Sequence, residues 1–460
     1  MRAADIGTRR VAVWGLGREG RAAITFLRQR YPGLPLLVLD DASDELMPKD
    51  LRDGVEYAFG AGRIAQALEN VDIIVKSPGI SLYRREIQST LAKGKQVTSL
   101  LNLWFSEQAD VTTVCVTGSK GKSTTASLIA HILAKLGRRV ALAGNIGIPI
   151  TEIDPETVDI AVIEVSSYQA ADFDGCCDIA VLTSLYPEHI DWHLSVDSYF
   201  RDKINLLKRS RCRVLQRATA KIVERFIAGS ASQSRFFDDE AGIHCCGIEL
   251  LDGPTVIGQV LDPYLARPHN RSNLCAALTV AKLLELDPRG ALAAVGGFRG
   301  LPHRQQELGE IGGVLFVDDS ISTIPESTVA ALSVYAGRYV TVILGGYDRG
   351  TDYGKLVDRA LTGAANAVVC LGNSGERIFS LARQVARSRA DVNCKIHRAH
   401  SMANAVAYAR EVTPPGGVVL LSPAAPSYDD YRDYRERGRD FAVQAGLPMP
   451  EASDSYSLAE

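Results

Sequence analysis

Val111-Thr-Thr-Val-Cys-Val-Thr-Gly-Ser-Lys-Gly-Lys-Ser-Thr-Thr125 decides how the rest of the chain is read. An apolar, β-branched run gives way to a glycine-rich turn bearing Lys122 and Ser123, and the pattern beyond it reads as an amphipathic helix. Such a turn points its backbone N–H groups into one cavity, where the helix N-terminus adds partial positive charge. Lys122 would meet the β/γ-phosphates of a nucleotide, and the Ser123 hydroxyl would sit on Mg²⁺. The pattern therefore predicts a nucleoside triphosphate site. It departs from the usual G-x-x-x-x-G-K-[ST], because Val116 stands at the first glycine position and leaves Gly118-x-x-Gly121-Lys122-Ser123. The plainer alternative is a strand-to-helix turn with a solvated lysine.

Working outward, strand-like runs alternate with helical patterns along the chain, which argues for parallel α/β architecture. A first unit runs from Val11-Ala-Val-Trp14 through a helix near Arg18 to Arg30, then Leu36–Leu39 and Ile73–Val75. The second begins at Val111, continues through strands at Val158–Val165 and Ile179–Leu182, and ends in a helix near Ala276–Glu285. The third holds Val314–Val317, Val340–Leu344, Ala367–Leu371 and Gly417–Leu421. Boundaries near residues 100 and 300 divide the chain into domains 1–100, 101–300 and 301–460, with Phe298-Arg-Gly-Leu-Pro-His-Arg304 as a hinge-like connector. The stretch from Met449 to Glu460 reads as a frayed tail.

At 460 residues the chain is too long for one ordinary core. An apolar fraction of 46% and a charged fraction of 23% are those of a soluble globular protein. A net charge of −3 offers no electrostatic reason to expect nucleic acid or an anionic membrane as partner. No apolar run is long enough to span a bilayer, and the N-terminus lacks a signal-peptide core, so a cytoplasmic protein is expected. The nine cysteines are scattered, without metal-binding spacing, and read as free thiols.

Other segments carry chemistry. Gly15-x-Gly17-x-x-Gly20 follows a strand and precedes Asp40, the dinucleotide fingerprint; NAD is one reading, and the diphosphate of a UDP-sugar is another. Lys76-Ser-Pro-Gly-Ile80 is either a second set of backbone donors or a simple turn. Glu164 ends the run Asp159–Ile163 and could hold Mg²⁺, a hard cation, or be a solvated rim charge. His189 and His193 could bind zinc if helical, but Pro187 favours a loop, leaving one histidine near the magnesium and one packed or solvated. Asn270 and Asn273 open a helix, where they either cap it or reach a nucleotide.

Over nearly its whole length the chain resembles the Mur ligases, specifically those adding glutamate to UDP-N-acetylmuramoyl-L-alanine. The pieces that carry the resemblance are Gly118-Ser-Lys-Gly-Lys-Ser-Thr124, Gly144-Asn145-Ile-Gly-Ile-Pro149, Glu164-Val-Ser-Ser-Tyr-Gln169 and the His189 to Lys203 region. Pro268-His-Asn270-x-x-Asn273, Gly300-Leu-Pro-His-Arg304, Gly345-Gly-x-Asp348 and Leu421-Ser-Pro-Ala-x-x-Ser427 add to it. The resemblance implies a Rossmann-like UDP-binding domain, a central P-loop ATPase domain with a mainly parallel sheet, and a Rossmann-like C-terminal domain that binds glutamate.

It also implies roles. Gly118, Ser119, Lys120, Gly121, Lys122, Ser123, Thr124, Asn145, Asn270, Asn273, Arg304 and Asp319 would contact ATP. Gly15, Leu16, Arg18, Asp40, Asp41, Ser77, Pro78, Gly79, Asn145, Ser166 and His189 would surround the UDP-sugar. Lys122, Glu164, His189 and Lys203 would be catalytic. Ser123, Glu164, His189 and a carbamylated Lys203 would hold Mg²⁺; an unmodified Lys203 on phosphate is the alternative. The implied reaction phosphorylates the alanyl carboxylate with ATP, and the amine of glutamate captures the acyl phosphate. A monomer is expected.

The third unit departs from the family's usual Asn-Asp-Ser-Lys-Ala-Thr-Asn, reading Asp318-Asp-Ser-Ile-Ser-Thr-Ile324; Arg349 replaces a lysine and Tyr434 a phenylalanine. Thr323, Arg349, Ser427 and Tyr434 occupy the glutamate-holding positions. A guanidinium grips a carboxylate as a fork, unlike an ammonium, so this exchange is not neutral. The departures resemble the branch that adds L-glutamate, whose product a separate epimerase later converts; drift within a D-glutamate enzyme is the alternative. Rival classes are a folylpolyglutamate synthase-like ligase, an NAD-dependent oxidoreductase, and a silent nucleotide-binding regulator.

Overall fold

The computed structural model describes residues 6–7, 9–41, 55–107, 110–227, 233–298, 300–389 and 392–448. The tail expected from Met449 onward, and Arg299 of the connector, lie outside the described residues. The chain divides into two compact units, one ending at Phe298 and one beginning at Arg299, each described here by itself.

The first unit contains two sheets. One is wholly parallel, built from β1 (Val11–Trp14), β2 (Leu36–Asp40), β3 (Val55–Phe59), β4 (Ile73–Lys76) and β5 (Gln96–Thr98) in the order β3-β2-β1-β4-β5. Its central strands are buried along their whole length, as parallel strands covered on both faces must be. The helix Arg18–Arg30 covers one face with Gly20, Ala23, Ile24 and Leu27, spaced at one side of a 3.6-residue period. Trp14 aligns with Leu39 and with Lys76, so Gly15, Asp40 and Ser77 emerge side by side at the carboxyl ends.

The other sheet comprises β6 (Thr112–Thr117), β7 (Val140–Gly144), β8 (Ile160–Glu164), β9 (Cys177–Leu182), β10 (Ser210–Gln216), β11 (Gln233–Phe237), β12 (Ile243–Cys246), β13 (Glu249–Asp252) and β14 (Thr255–Gln259). The order is β14-β13-β12-β11-β10-β9-β6-β8-β7. It is parallel from β7 to β12 and ends in an antiparallel meander, β12-β13-β14. Periodicity did not foretell that meander, whose strands are short and half exposed. The helix Lys122–Lys135 also differs from expectation: residues 125–133 are buried without interruption, so it is not amphipathic. The sheet covers one side of it and the helix Pro268–Leu283 the other, and only an apolar or small-residue surface all round fits between them.

The second unit holds β15 (Gln306–Ile311), β16 (Val314–Asp318), β17 (Val340–Leu344), β18 (Ala367–Cys370), β19 (Lys395–Arg398) and β20 (Val418–Leu421). Their order is β15-β16-β20-β17-β18-β19, parallel except for β15. Its core lies on both faces, with Val342, Leu344 and Leu420 on one and Phe316, Ile343 and Phe441 on the other. Among the described residues no helix is long and apolar enough to cross a membrane.

Candidate active site

The phosphate turn is shaped by two glycines that no other residue could replace. Gly118 has φ +149°, and a Cβ there would lie 2.0 Å from Thr183 Oγ1; Gly121 has φ +86°, and its Cβ would lie 2.4 Å from Asn273 Oδ1. Gly121 caps the helix that Lys122 begins. Lys122 Nζ curls back to donate to the carbonyls of Gly118 (2.9 Å) and Ser119 (3.0 Å). Ser123 is buried, and Thr124 follows it on the same turn. Ser119 faces inward, its Oγ 2.7 Å from the Tyr199 hydroxyl, whereas Lys120 points outward and pairs with Glu188 at 2.6 Å.

Beside the turn, strand register delivers the acidic group. Glu164 aligns with Val116 on one side and Gly144 on the other, at the carboxyl ends where α/β sheets gather ligands. Glu164 is 1% exposed; Oε1 accepts from Asn145 Nδ2 at 2.9 Å, and buried Oε2 has no hydrogen-bond partner among the described residues. A buried carboxylate oxygen left unpaired suits a cation. Lys203, also 1% exposed, donates to the carbonyl of Gly118 at 2.9 Å, the atom that Lys122 also uses. Burial, followed by the charge of Lys122, pulls the Lys203 ammonium well below the usual lysine range. His189 sits at the rim with φ 54°, a left-handed conformation unusual for a non-glycine residue. Partial burial, with Tyr168 5.1 Å from its ring, depresses its pKa, and Lys203 and Lys122 add to the effect.

His193 is not a second metal ligand. It ends the short helix Ile190–His193, is fully buried, and bonds Asp202 (2.6 Å) and Ser167 (3.0 Å). Among the described residues no group of three His, Cys, Asp or Glu gathers as a metal cage. Mg²⁺ needs less, one or two carboxylates completed by water and phosphate oxygens, and the unpaired Glu164 oxygen fits that chemistry. Asn270 and Asn273 do not cap their helix, whose N-cap is Arg267. Asn270 donates to the Tyr264 carbonyl (2.8 Å), and Asn273 accepts from Thr125 (3.2 Å), tying this helix to the phosphate-turn helix.

The first sheet presents its loops to the same region. Gly15 has φ +98°, and a Cβ on Gly20 would fall 1.7 Å from the Gly15 carbonyl, so the turn can close only with glycine. Leu16 N donates to Asp40 Oδ2 (2.6 Å), and Ser77 Oγ to the Gly15 carbonyl (2.7 Å). Arg18 reaches the Gly144 carbonyl (3.1 Å), immediately before Asn145. Asp41 is held in a fork by Arg84. Pro78 and Gly79 form a turn whose Gly79 carbonyl accepts from Trp192 Nε1 (3.3 Å). Ser166 caps the helix Ser167–Ala171 in a capping box with Gln169. Gln169 in turn donates to Glu19 (2.5 Å), and nearby Lys76 pairs with Asp172 at 2.8 Å, both buried.

In the second unit three loops leave adjacent strands β16, β20 and β17. Asp319 is 1% exposed and accepts from Ser422 Oγ (2.6 Å) and the Gln305 amide (3.1 Å); burial raises it to about 6. Arg304 and Arg349 are exposed, the latter with its guanidinium 5.8 Å from the Tyr428 ring. Thr323 is half-buried, Ser427 is buried, and Tyr434 begins the helix Tyr434–Ala445 with its carbonyl accepting from Ser320 (2.8 Å). Arg437, missed in the sequence reading, knits these loops: its guanidinium donates to Ser320 Oγ (3.0 Å), the Ser320 carbonyl (2.8 Å) and the Pro426 carbonyl (3.1 Å). Tyr199 and Asp202 were also missed. With Lys203 they share one helical face, and polar residues on an otherwise buried stripe were the available signal.

Comparison with known proteins identifies the family of the chain. Three family descriptions match in chain order: Mur ligase MurD-like, N-terminal domain, over residues 9–99; Mur ligase middle domain over 116–242; and Mur ligase, glutamate ligase domain, over 303–425. The fold is shared with UDP-N-acetylmuramate-alanine ligase from Thermotoga maritima, at TM-score 0.54 and 16% identity over 95% of this chain and 99% of that one. A UDP-N-acetylmuramoyl-L-alanyl-D-glutamate–2,6-diaminopimelate ligase gives TM-score 0.55 and 18% identity over 94% and 92%. The chain is similar to UDP-N-acetylmuramoyl-L-alanine–L-glutamate ligase of Xanthomonas euvesicatoria, at 39% identity over 97% of both chains. It is also 39% identical to the protein of that name from Salinispora tropica, over 96% of this chain and 98% of the relative. Sequence identity of that extent, over three domains in the same order, means that this chain belongs to the Mur ligase family.

Proposed function

We propose that this chain joins L-glutamate to UDP-N-acetylmuramoyl-L-alanine, converting ATP to ADP and phosphate, as a cytoplasmic step of peptidoglycan precursor synthesis. The observation that carries the reading is the convergence, within one unit, of the phosphate turn, the half-satisfied Glu164 and the glycine-built turn at Gly15. The relatives from Xanthomonas euvesicatoria, Xanthomonas axonopodis and Salinispora tropica are L-glutamate ligases by name, which supports the choice of enantiomer, as do Ile321 and Arg349 in place of the family's usual lysines.

Domains 1–100, 101–300 and 301–460 then bind the UDP-sugar, ATP and glutamate. Gly15, Leu16, Arg18, Asp40, Asp41, Ser77, Pro78, Gly79 and Ser166 surround the UDP-sugar. Gly118 to Thr124, Asn270, Asn273, Arg304 and Asp319 serve ATP, and Thr323, Arg349, Ser427 and Tyr434 serve glutamate. Ser123, Glu164, His189 and a carbamylated Lys203 would hold Mg²⁺, which when bound offsets the negative charge gathered on the phosphates.

The residues act chiefly by placement and charge. Lys122 leaves its carbonyl partners for the γ-phosphate while the alanyl carboxylate attacks phosphorus and ADP departs. Asn145, whose amide donates to Glu164, would serve both the ATP and the UDP-sugar from that fixed position. The glutamate amine then attacks the acyl carbon, loses a proton, and phosphate leaves. Lys203 is suited to become a carbamate: burial favours its neutral amine, which adds CO₂ with release of a proton, and the anionic carbamate attracts Mg²⁺ where an ammonium would repel it. A monomer whose product passes to a separate epimerase completes the proposal. Incubating the protein with ATP, UDP-N-acetylmuramoyl-L-alanine and each enantiomer of glutamate tests it. Substrate-dependent ADP release with L-glutamate is expected, and activity with D-glutamate alone would overturn the assignment.

A further inference from the structure

The helix Val196–Lys208 carries three neighbouring polar side chains, two directed to the phosphate turn and one elsewhere. Tyr199 bonds Ser119 of the phosphate turn and Lys203 bonds the Gly118 carbonyl. Asp202, between them, accepts from the Tyr83 hydroxyl at 2.9 and 3.0 Å. Its Oδ2 also faces His193 Nδ1 at 2.6 Å, and His193 Nε2 lies 3.0 Å from Ser167 Oγ. A carboxylate only accepts, so in the neutral ring Nδ1 donates and Nε2 accepts from the serine. Serine, histidine and aspartate in this order match a hydrolytic triad, but Ser167 is 3% exposed and His193 0%, so no substrate reaches the hydroxyl.

Tyr83 follows the Ser77-Pro78-Gly79 turn, and the same stretch is fastened twice more: Ser81 Oγ donates to the Trp192 carbonyl (2.8 Å), and Trp192 Nε1 to that of Gly79. Burial, aided by the charge of Asp202, pushes the Tyr83 phenol up to about 12, so it remains a donor at neutral pH.

We infer that Tyr83 and Asp202 are positioning residues for the UDP-sugar, registering its binding turn against the helix that also fixes the phosphate turn. This rests on the placement of the UDP-sugar at Ser77–Gly79 proposed above. Removing the Tyr83 hydroxyl unties the sugar turn from this helix, leaving only its two bonds to Trp192, while Asp202 keeps His193 and Tyr199 keeps Ser119. The ATP side therefore stays assembled, and the loss falls on one substrate.

The test is steady-state ADP release by the full chain, varying each substrate in turn. Tyr83→Phe is expected to raise KM for UDP-N-acetylmuramoyl-L-alanine about tenfold while KM for ATP and saturating kcat stay within about twofold. Asp202→Asn raises the same KM at least as far, and combining the two adds nothing further, as expected of partners in one interaction. Equal rises in both KM values, or none, would overturn the inference. Calorimetric titration with UDP-N-acetylmuramoyl-L-alanine separates the two levels. A parent chain that fails to bind it removes the site assignment and this inference with it; a parent that binds while Tyr83→Phe titrates identically removes the positioning role alone.

Discussion

Replacing Glu19 by glutamine should make the first unit more stable, and more so as the pH rises. Glu19 lies in the first turn of the helix Arg18–Arg30, its Oε1 accepting from Gln169 Nε2 at 2.5 Å. Burial first, then the charge of Asp172, raises its pKa from 4.5 to about 7, against the opposing pull of Lys76, Arg18 and Gln169. The folded chain therefore holds this proton more tightly than the unfolded chain, and raising the pH from the ordinary value through the folded one favours unfolding. The full shift corresponds to roughly 3 kcal/mol, an upper bound because Glu19 keeps a partly exposed edge. About 2 kcal/mol of it develops between about pH 5.5 and about pH 8. Glutamine keeps the oxygen that Gln169 needs and removes the charge. Thermal melting of both proteins at the two pH values is the assay; other titrating groups cancel in the difference. The parent should lose roughly 3 °C more than Glu19→Gln over that interval. Equal losses, or a variant that melts lower at the higher pH, would refute the reasoning.

Other outcomes follow from the same geometry. Lys122→Ala should lower substrate-dependent ADP release by at least about a hundredfold with little change in melting; near-normal release would exclude Lys122 from the chemistry. Lys76→Met leaves Asp172 buried without its cation and should destabilise by about 3–5 kcal/mol in denaturant unfolding, whereas Lys76→Met with Asp172→Leu should recover most of that loss. Failure of the double variant to recover would mean that the pair does not act as a unit. Arg437→Lys cannot reproduce the three bonds to Ser320 and Pro426, and should cost about 2–4 kcal/mol of stability together with a raised KM for glutamate; an unchanged KM would detach Arg437 from the amino-acid site.

The strand-forming runs at Val11, Leu36, Ile73, Val314, Val340 and Val418 are strands with bounds moved by a residue or so, since a short continuous apolar stretch buried on both faces has few other options. The runs at Gln233, Ile243, Glu249 and Thr255 escaped notice because half-exposed meander strands carry mixed side chains that resemble loops. Helix Lys122–Lys135 was expected to be amphipathic, but packing on both sides buries residues 125–133 together. The histidine pair was separable only in three dimensions, where His189 sits at the rim and His193 inside.

By itself the chain's order of residues determined the features that are local: a Gly-x-x-Gly-Lys-Ser turn after a strand, and a Gly-x-Gly-x-x-Gly turn before a helix. Their geometry follows from backbone sterics over a few positions, so adjacency along the chain is enough. Tertiary structure alone decided which distant groups meet, such as Tyr83 with Asp202, 119 residues away, or Lys203 with the carbonyl that Lys122 also uses. Those meetings depend on strand order and register, to which local periodicity is blind, because a strand's side-chain alternation is the same whichever neighbour it pairs with.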